Sequence, residues 1–576
     1  MQNVYRWKAE SVLPSRKANN AGFGGYHRSF YEKDANRKRE MEQDWKWYDD
    51  SGGKDAFRQH QQFTELDEAV GSAYLVEDKT PLSLVLGPYG NQHMFKLPSL
   101  SAMAIDEPFM AESEDGRTYK RKPTERSGWI VNIGERIQTL GWAPNQDDDI
   151  QYLALATMTM ETAVEPDLPS AFVAQATPKK SAIQIWSFRR SADGYFDQTT
   201  PPKLCQVICS EFGDVRLLKW CKAPRQHKVG NEAAKDLGLL AGIWGDGHIR
   251  VLDITVPTPD SPTQYLHLDS VAFHTRPPDA VFSSLSWVSA HSIIGATSNG
   301  AMALFSLPPS LGTDPATPIV SSPLQSTYIT TITTCYPSRP HIVLSTCLAG
   351  YLSMTDLTRV TTSAGINPSN TVLSPRSRIG RQTMTWHDWS QMLVTIDDNQ
   401  TLQGLPLRRF YGYSGLGRVR AGVVTIAPSE CHPFIAAGQV NGEVSTTNIM
   451  RKVSNSKETL VVGRWFQHTW RRTETPKLKL PGGNEQEGTS EGQTIEETQG
   501  PTKADKGVAR FVEGFKPELS MILKPTDSRN PTLFTTIHEA QTAITEVAWN
   551  PNLRCGGWIA AGTASGLLRV EDLGIP

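Results

Sequence analysis

The feature that most constrains the fold of this chain is an order of short strands that recurs from residue 137 to the end. Each copy has a short apolar strand that often carries Trp, an apolar strand of small residues, a Gly with Asp, Asn or Ser, and an alternating strand. The clearest copy runs from Asp214 to Asp253 and turns at Gly245-Asp246-Gly247, where glycine supplies the positive φ of a tight hairpin. This order predicts a β-meander.

The same order returns six more times along the chain. A sheet of this kind cannot bury both of its faces alone, so the copies are expected to stack radially and to close into a ring. We therefore predict an all-β fold, a seven-bladed β-propeller of WD40 type, over residues 81–576. The alternative is a pair of stacked β-sandwiches, which does not account for the recurring order of Trp, small residues and Gly. The other copies are marked by Gly141-Trp142-Ala143-Pro144, Ser298-Asn299-Gly300, Ala349-Gly350, Asp398-Asn399, Asn441-Gly442 and Ser565-Gly566.

The last copy of the repeat shows only three strands before the chain ends. Its fourth strand is therefore expected from upstream of residue 137, and Leu82–Leu86 and His93–Leu97 are the candidates. A ring closed by both ends of the chain would have no free edge to pair with other chains.

Composition narrows the class of protein. The longest strong apolar run, Leu237 to Trp244, is far shorter than the roughly 18 residues of a membrane span, and the N-terminus has no signal-peptide pattern, which predicts a soluble intracellular protein. The seven cysteines are scattered, which is typical of reduced thiols, and Cys205 with Cys209 alone gives little support for a metal site. Because the net charge is −2, contact with nucleic acid would have to come from a local patch or a partner.

Residues 1–80 are predicted to be an N-terminal extension that is partly disordered and binds a partner. Trp45, Trp47 and Tyr48 stand in a charged setting and are candidate anchors on that partner. The alternative is that these aromatic side chains pack against the side of the propeller itself.

An insertion is predicted from 451 to 540, before the last blade, with a disordered part at 476–507 that is rich in Gly, Glu, Gln and Thr. Its first part mixes basic and aromatic residues, which suits phosphate groups or acidic partners. The alternative is an amphipathic segment that caps the ring. The candidate contacts are Arg464, Trp465, Arg471 and Arg472.

Motifs for catalysis are incomplete. Gly483 to Thr489 resembles a phosphate-binding loop but lacks its Lys, and His538-Glu539 lacks a second metal-binding His because residue 542 is Thr. We expect no catalytic residue, no metal and no cofactor, and therefore a protein that is not an enzyme.

Several segments of the chain resemble the WD-repeat subunit of transcription factor TFIIIC in its fungal form, from about residue 80 to 576. The resemblance implies a nuclear propeller that pairs with a second propeller subunit, in the half of the complex that binds the internal B-box of transfer-RNA genes. Relatives often carry a long basic extension before the propeller, whereas the 80 residues here have mixed charge, so DNA is expected to be contacted through the complex. The segments are Leu84-Val85-Leu86-Gly87-Pro88-Tyr89, Leu237-Gly238-Leu239-Leu240-Ala241, Trp244-Gly245-Asp246-Gly247, Gly350-Tyr351, Thr355-Asp356-Leu357 and Ala548-Trp549-Asn550-Pro551.

Two functional hypotheses follow. The first is a non-enzymatic TFIIIC scaffold, which should present a large apolar patch to its partner. The second is a WD40 adaptor of a chromatin or ubiquitin-ligase complex, which should present a polar or aromatic peptide pocket at the narrow mouth of the channel. Neither hypothesis involves a membrane.

Overall fold

The fold is known from a computed structural model of the chain. It describes residues 12–17, 25–75, 80–87, 92–106, 127–158, 179–192, 194–226, 234–359, 371–373, 383–454, 460–472, 507–513, 517–519 and 537–575. Candidate motifs at Pro88-Tyr89, at Gly483 to Thr489 and in most of 476–507 lie outside these residues.

Helices in the described residues are short and lie mostly before residue 75. None of them is long and apolar enough to cross a bilayer. The α-helices are α1 (Asp34–Arg39), α2 (Lys46–Asp49), α3 (Gly53–His60), α4 (Glu68–Gly71) and α5 (Met450–Ser454), with a π-helical turn at Glu40–Asp44. Single 3-10 turns lie at Ser72–Tyr74, Pro308–Ser310, Leu357–Arg359, Asp388–Ser390, Leu407–Arg409, Ala540–Thr542 and Leu553–Cys555.

Strands make up most of the described structure. The first half of the chain contains β1 (Gln62–Leu66), β2 (Leu82–Leu86), β3 (His93–Leu97), β4 (Ala102–Ala104), β5 (Gly128–Asn132), β6 (Arg136–Trp142), β7 (Ile150–Met158), β8 (Ser181–Arg189), β9 (Lys203–Ser210), β10 (Leu217–Trp220), β11 (Ala234–Ile243), β12 (Ile249–Pro257), β13 (Gln264–Ser270), β14 (Phe273–Thr275), β15 (Phe282–Ser289), β16 (Ser292–Thr297) and β17 (Ala301–Ser306). The second half contains β18 (Val320–Pro323), β19 (Ile329–Cys335), β20 (Arg339–Cys347), β21 (Leu352–Asp356), β22 (Thr371–Leu373), β23 (Met384–His387), β24 (Met392–Ile396), β25 (Thr401–Pro406), β26 (Ser414–Arg418), β27 (Val423–Pro428), β28 (Phe434–Gln439), β29 (Glu443–Asn448), β30 (Val461–Arg471), β31 (Val508–Glu513), β32 (Pro517–Leu519), β33 (Ile544–Trp549), β34 (Trp558–Thr563) and β35 (Leu567–Asp572).

These strands are hydrogen-bonded into seven sheets, which we number along the chain. Six sheets contain a four-stranded antiparallel meander from one stretch of chain: β6 to β9, β10 to β12 with β14, β15 to β18, β19 to β22, β23 to β26, and β27 to β30. The seventh sheet has three consecutive strands, β33 to β35, and two strands from upstream, β5 and β4.

The sheets lie side by side around a common axis. The first strand of each sheet contacts the first strand of the next, from β6 through β10, β15, β19, β23 and β27 to β33, and β33 also contacts β6. This is a β-propeller arrangement in an all-β chain, as the repeated order of strands predicts.

Small residues in the second strand of a sheet permit close packing between neighbouring sheets. Gly562 on β34 shows why: a Cβ at this position would lie 2.7 Å from Cγ2 of Ile137 on β6. A larger residue would therefore force the seventh sheet away from the first. The turns follow the predicted chemistry as well, since Gly247 has a φ of +81°.

The closing strand is not one of the predicted candidates. The seventh sheet is completed by β5, which pairs antiparallel with β35 from Gly128 to Asn132, so its source is upstream of residue 137 as expected. The two candidate strands, Leu82–Leu86 and His93–Leu97, were the wrong choice: they are β2 and β3, and they extend the sixth sheet, where β2 pairs in parallel with β31.

The predicted insertion from 451 to 540 also contains parts of the sixth sheet. Val461–Arg471 is β30, the fourth strand of that sheet, and Val508–Glu513 is β31, which pairs with it. The prediction was wrong for these two segments because the pattern of the repeat shows only three strands clearly and the fourth had to be inferred.

The N-terminal segment lies across one face of the ring, where the structure describes it. Val12 accepts a hydrogen bond at its carbonyl from Thr446 of the sixth sheet, and Arg16 is paired with Asp572 of the seventh. Further along, β1 pairs with β13, which itself joins the first sheet by a parallel pairing with β9. This part of the predicted extension 1–80 is thus folded against the propeller.

All seven cysteines are buried and unpaired. Burial raises the pKa of Cys221 and of Cys431 to about 12, so these thiols are protonated at neutral pH. They act as small apolar side chains of the core.

Candidate interaction surface

The channel between the sheets is a concave feature that the described residues form. It holds a cavity of about 450 Å³, lined by residues from the first strands of all seven sheets. Hydroxyl groups cover much of its wall. Charged side chains also line it: Lys219 of β10 and Glu546 of β33, together with Arg28, Glu32, Arg37, Arg216, Lys222, Asp388 and Glu430. The hydroxyl-bearing residues include Ser283, Ser286, Thr330, Thr331, Thr333 and Thr385.

Glu546 is the carboxylate that faces this cavity from the seventh sheet. Burial raises the pKa of Glu546, while Lys219 and a hydrogen bond from Thr425 act in the opposite direction. The hydroxyl of Thr425 donates to Oε1 of Glu546 over 2.9 Å. The channel therefore offers a ligand hydroxyl groups together with both basic and acidic side chains.

One mouth of the channel is covered by residues 25–32 of the N-terminal segment. The guanidinium of Arg28 lies 3.3 Å from Glu430, whose carboxylate also binds Nζ of Lys222 at 2.6 Å. Burial acts to raise the pKa of Glu430, but the charges of Lys222 and Arg28 outweigh it and lower the pKa. Ser29 donates to Asp388 of the fifth sheet. These contacts tie the segment to the fifth and sixth sheets.

The segment continues past the fourth sheet. The hydroxyl of Tyr336 donates to Oε2 of Glu40 over 2.9 Å. Burial raises the pKa of Glu40 to about 7, so this carboxyl gains a proton close to neutral pH. Phe30 and Tyr31, beside the covered mouth, are largely exposed.

The predicted aromatic anchors of the extension lie on its inner side. Trp45 and Tyr48 are buried in the same core cluster as the second and third sheets. The hydroxyl of Tyr48 donates to Asp253, and the guanidinium of Arg225 lies 4.5 Å above the Tyr48 ring. Trp45 and Tyr48 therefore pack against the propeller itself, which was the alternative prediction.

Trp47 is only half-buried, beside Tyr48 with 5.6 Å between the ring centroids. It remains a candidate contact, because part of its ring is open to solvent. The partner-binding role predicted for residues 1–80 stays a prediction.

The four candidates near residue 470 are separated by the pleat of β30. Trp465 is fully buried, whereas Arg471 and Arg472, at the end of the strand, are exposed and Arg464 is half-buried. Arg472 lies 3.7 Å from Glu539. The strand thus presents basic residues to solvent and keeps its Trp inside, so Trp465 is wrong as a surface contact and the arginines remain candidates.

In the described residues, no group of three His, Cys, Asp or Glu side chains is placed to hold a metal ion. The arrangement offers surfaces and a channel for binding.

Comparison with known proteins addresses the identity of the chain. No family model matches it. Over 551 residues it is 25% identical to transcription factor tau subunit sfc6 of Schizosaccharomyces pombe, covering 93% of this chain and 80% of that subunit. Over 345 residues it is 24% identical to the transcription factor tau 91 kDa subunit of Saccharomyces cerevisiae, covering 57% of this chain and 46% of that subunit.

The chain is similar to fungal transcription factor tau subunits. This similarity agrees with the resemblance of its sequence to the TFIIIC family. The relatives are subunits of a transcription factor, and the chain itself is a β-propeller.

Two features of the structure were not predicted from the sequence. One is the N-terminal segment across the channel mouth, whose contacts join residues far apart in the sequence, such as Ser29 with Asp388. The other is the buried polar cluster beneath Trp465, in which its Nε1 donates to Oε2 of Glu571 over 2.6 Å. The short spacing of Arg569 and Glu571 on a strand that continues an apolar run was the available signal for the second.

Proposed function

We propose that this chain is a non-enzymatic scaffold subunit of a TFIIIC-type factor. In this role it pairs with a second propeller subunit and supports recognition of the B-box of transfer-RNA genes, in the nucleus. The observation that supports the proposal most is similarity to a tau subunit along 93% of the chain, since it includes most of the ring and much of the N-terminal segment.

We further propose that the ring is a closed seven-bladed propeller of WD40 type. The seventh sheet has the same order as the other six, with a buried second strand of small residues in β34 and a glycine turn at Gly566, whose φ is +86°. Its first strand contacts β27 on one side and β6 on the other, and β5 supplies the fourth strand. Closure by strands from both ends of the chain protects the last blade from pairing with other chains.

In this proposal, the exposed basic residues at the end of β30 contact other macromolecules. Arg471 and Arg472 are exposed at the end of β30, where that strand pairs with β31. Guanidinium groups in such a position bind phosphate or carboxylate oxygens in bidentate fashion.

The experiment is affinity capture of the full chain from nuclear extract, with washes of rising salt and identification of the bound proteins. Recovery of a second propeller subunit together with other RNA polymerase III factor subunits, retained at high salt, supports the proposal. Recovery of a folded chain without any such subunit overturns it. The variant Arg471→Gln/Arg472→Gln should elute at lower salt, while Lys38→Gln/Arg58→Gln, exposed basic residues on the N-terminal helices, should not.

A second candidate function is favoured by the channel. A cavity of about 450 Å³ with hydroxyl walls and charged side chains, Lys219 and Glu546 among them, is the polar pocket that a peptide-reading adaptor of a chromatin or ubiquitin-ligase complex would use. The variant Lys219→Glu separates the two functions, because the exposed side chain of Lys219 lines the channel and not the outer surface. Loss of the captured proteins in this variant favours the adaptor, and unchanged capture favours the scaffold.

A further inference from the structure

The charge of the chain is distributed unevenly. Residues 399–472 contain ten Lys or Arg and three Glu, with no Asp, a net charge of +7, whereas the whole chain carries −2. These residues form the outer half of the fifth sheet and nearly all of the core meander of the sixth. Two of the three Glu do not balance the exposed charge, since Glu443 is buried and Glu430 is bound by Lys222 and Arg28.

The most exposed part of this region is the loop between β25 and β26. It leaves the sheet beyond the paired residues Gly404 and Ser414. Arg408 and Arg409 are exposed, and Tyr411 and Tyr413 are 70% and 65% exposed, which is high for rings of this size. We call this loop, residues 407–413, the Arg-Tyr loop.

The Arg-Tyr loop has a fixed base. Phe410 is buried in the core cluster of the fourth and fifth sheets, and the amide of Gly412 donates to the carbonyl of Arg409 over 2.8 Å. Because Phe410 points inward, its neighbours Arg409 and Tyr411 are held at the surface. Within the described part of the chain, neither Tyr411 nor Tyr413 has a hydrogen-bond or ring partner, and neither Arg408 nor Arg409 has an ion-pair partner.

Further basic residues continue from this loop along the edge of the sheet. β26 is the outermost strand of the fifth sheet, and it leads from the loop to Arg418 and then Arg420, whose amide donates to Gln439 of the sixth sheet. Arg420 is exposed, and no acidic residue occurs in the sequence between Asp398 and Glu430.

We propose that the Arg-Tyr loop and the adjoining edge of the fifth sheet bind single-stranded nucleic acid. Arginines along the strand edge bind the phosphates, and the open faces of Tyr411 and Tyr413 stack on two bases. A duplex keeps its bases stacked on each other and leaves the tyrosines without a partner, so the two exposed rings select a single strand over a duplex. The surface does not depend on the scaffold role proposed above.

The test uses the purified full chain and fluorescence anisotropy of a labelled 15-nucleotide oligo-uridine, an oligo-thymidine of the same length and a 15-base-pair duplex. The unmodified chain should bind both single strands more tightly than the duplex. Tyr411→Ala/Tyr413→Ala should weaken single-strand binding by at least about 5-fold and up to about 100-fold, since stacking on one base is worth a comparable factor. Tyr31→Ala, which removes another largely exposed ring, is the control and should leave the affinity unchanged.

The arginines are tested by salt dependence. Arg408→Gln/Arg409→Gln should reduce the slope of log affinity against log salt by about 1.4, or about 0.7 for each phosphate that the variant no longer binds. Lys38→Gln/Arg58→Gln should leave the slope unchanged. Melting curves of all variants show whether weaker binding reflects unfolding, which is not expected for exposed side chains.

Three outcomes overturn the proposal. Absence of single-strand binding by the folded chain is the first. The second is tighter binding of the duplex that the tyrosine changes do not affect, which indicates contact with the backbone of double-stranded nucleic acid. The third is displacement of the oligonucleotide by a poly-glutamate peptide, again with no effect of the tyrosine changes, which indicates an acidic protein partner. None of these outcomes bears on the capture of complex subunits, so failure here and failure of the scaffold proposal can be distinguished.

Discussion

Arg569 and Glu571 form an ion pair inside the protein, with 2.8 Å between Nη2 and Oε2 and with both side chains fully buried. They lie two residues apart on β35 of the seventh sheet. Trp465 of the sixth sheet donates to the same carboxylate, and the Phe466 ring centroid lies 4.8 Å from the guanidinium. The cluster therefore joins the sixth and seventh sheets through a polar contact within an apolar interface.

Glu571→Gln should destabilise the protein strongly. The substitution removes the negative charge that binds the buried guanidinium of Arg569, and breaking a buried pair in this way typically costs about 3–5 kcal/mol in the free energy of unfolding. Urea denaturation followed by tryptophan fluorescence measures the change. Glu539→Gln is the control, because Glu539 is about half exposed and its pair with Arg472 is worth less than about 1 kcal/mol.

The double variant Arg569→Met/Glu571→Leu tests the reason for that loss. If the unpaired charge is responsible, the double variant should be more stable than Glu571→Gln, since well-packed apolar residues can replace a buried pair at little cost. A double variant that is less stable than the single one would contradict this explanation.

Val131→Asp should abolish cooperative folding of the seventh sheet. Val131 is fully buried on β5, opposite the apolar side chain of Leu568, and a carboxylate buried there costs more than about 4 kcal/mol. Met94→Asp, on β3 of the sixth sheet where Met94 is 62% exposed, should change the free energy of unfolding by less than about 0.5 kcal/mol. Equal effects of the two changes would show that β5 does not complete the seventh sheet.

The closing strand illustrates how far the sequence predicts this fold. The order of strands recurs locally, so the sheets, their turns and the need for an upstream strand could all be predicted. The choice among upstream strands could not, because Gly128–Asn132 pairs with β35 near the opposite end of the chain. The alternating residues of Leu82–Leu86 fit any sheet edge equally well, and tertiary packing places them beside β31.

The candidate contacts show a similar limit. Trp45 and Tyr48 stand in a charged segment, and composition alone does not distinguish an aromatic residue that anchors a partner from one that anchors its own chain. Their burial depends on Arg225 and Asp253, which are distant in sequence. For Trp465 the alternation of β30 was available, since residues two apart on a strand face the same side and Arg464 is its immediate neighbour.

Replacing residues 476–506 by Gly-Ser-Gly should leave the melting temperature nearly unchanged. Arg471 and Val508, which flank the replaced segment, are already paired on β30 and β31, so the chain ends that the linker joins are adjacent. Shortening the connection between Arg471 and Val508 from 36 residues to eight changes the loop-closure free energy by only about 1.3 kcal/mol, in the stabilising direction. Differential scanning calorimetry measures the change, and a fall of more than about 5 °C would show that the segment contributes to the folded structure.

His468→Gln should change how stability depends on pH. Burial lowers the pKa of His468 to about 4, although a hydrogen bond to the carbonyl of Thr542 acts in the opposite direction. The pKa of an unfolded His is about 6.5, so as pH falls from 6.5 to 4 the unfolded chain binds a proton that the folded chain does not, and stability is lost. Over this range the free energy of unfolding of the unmodified chain, minus that of the variant, should fall by about 1.4 kcal/mol per pH unit.

The difference between the two proteins isolates this one side chain. Burial also lowers the pKa of His432 to about 3, which acts in the same direction, and raises the pKa values of Asp253 and Asp572 to about 6, which act in the opposite direction. These groups are present in both proteins and cancel in the subtraction. Urea titrations at pH 7, 6, 5 and 4.5 give the difference directly. If it stays constant with pH, His468 is protonated in the folded chain as readily as in the unfolded one, and its burial between the sixth and seventh sheets does not hold in solution.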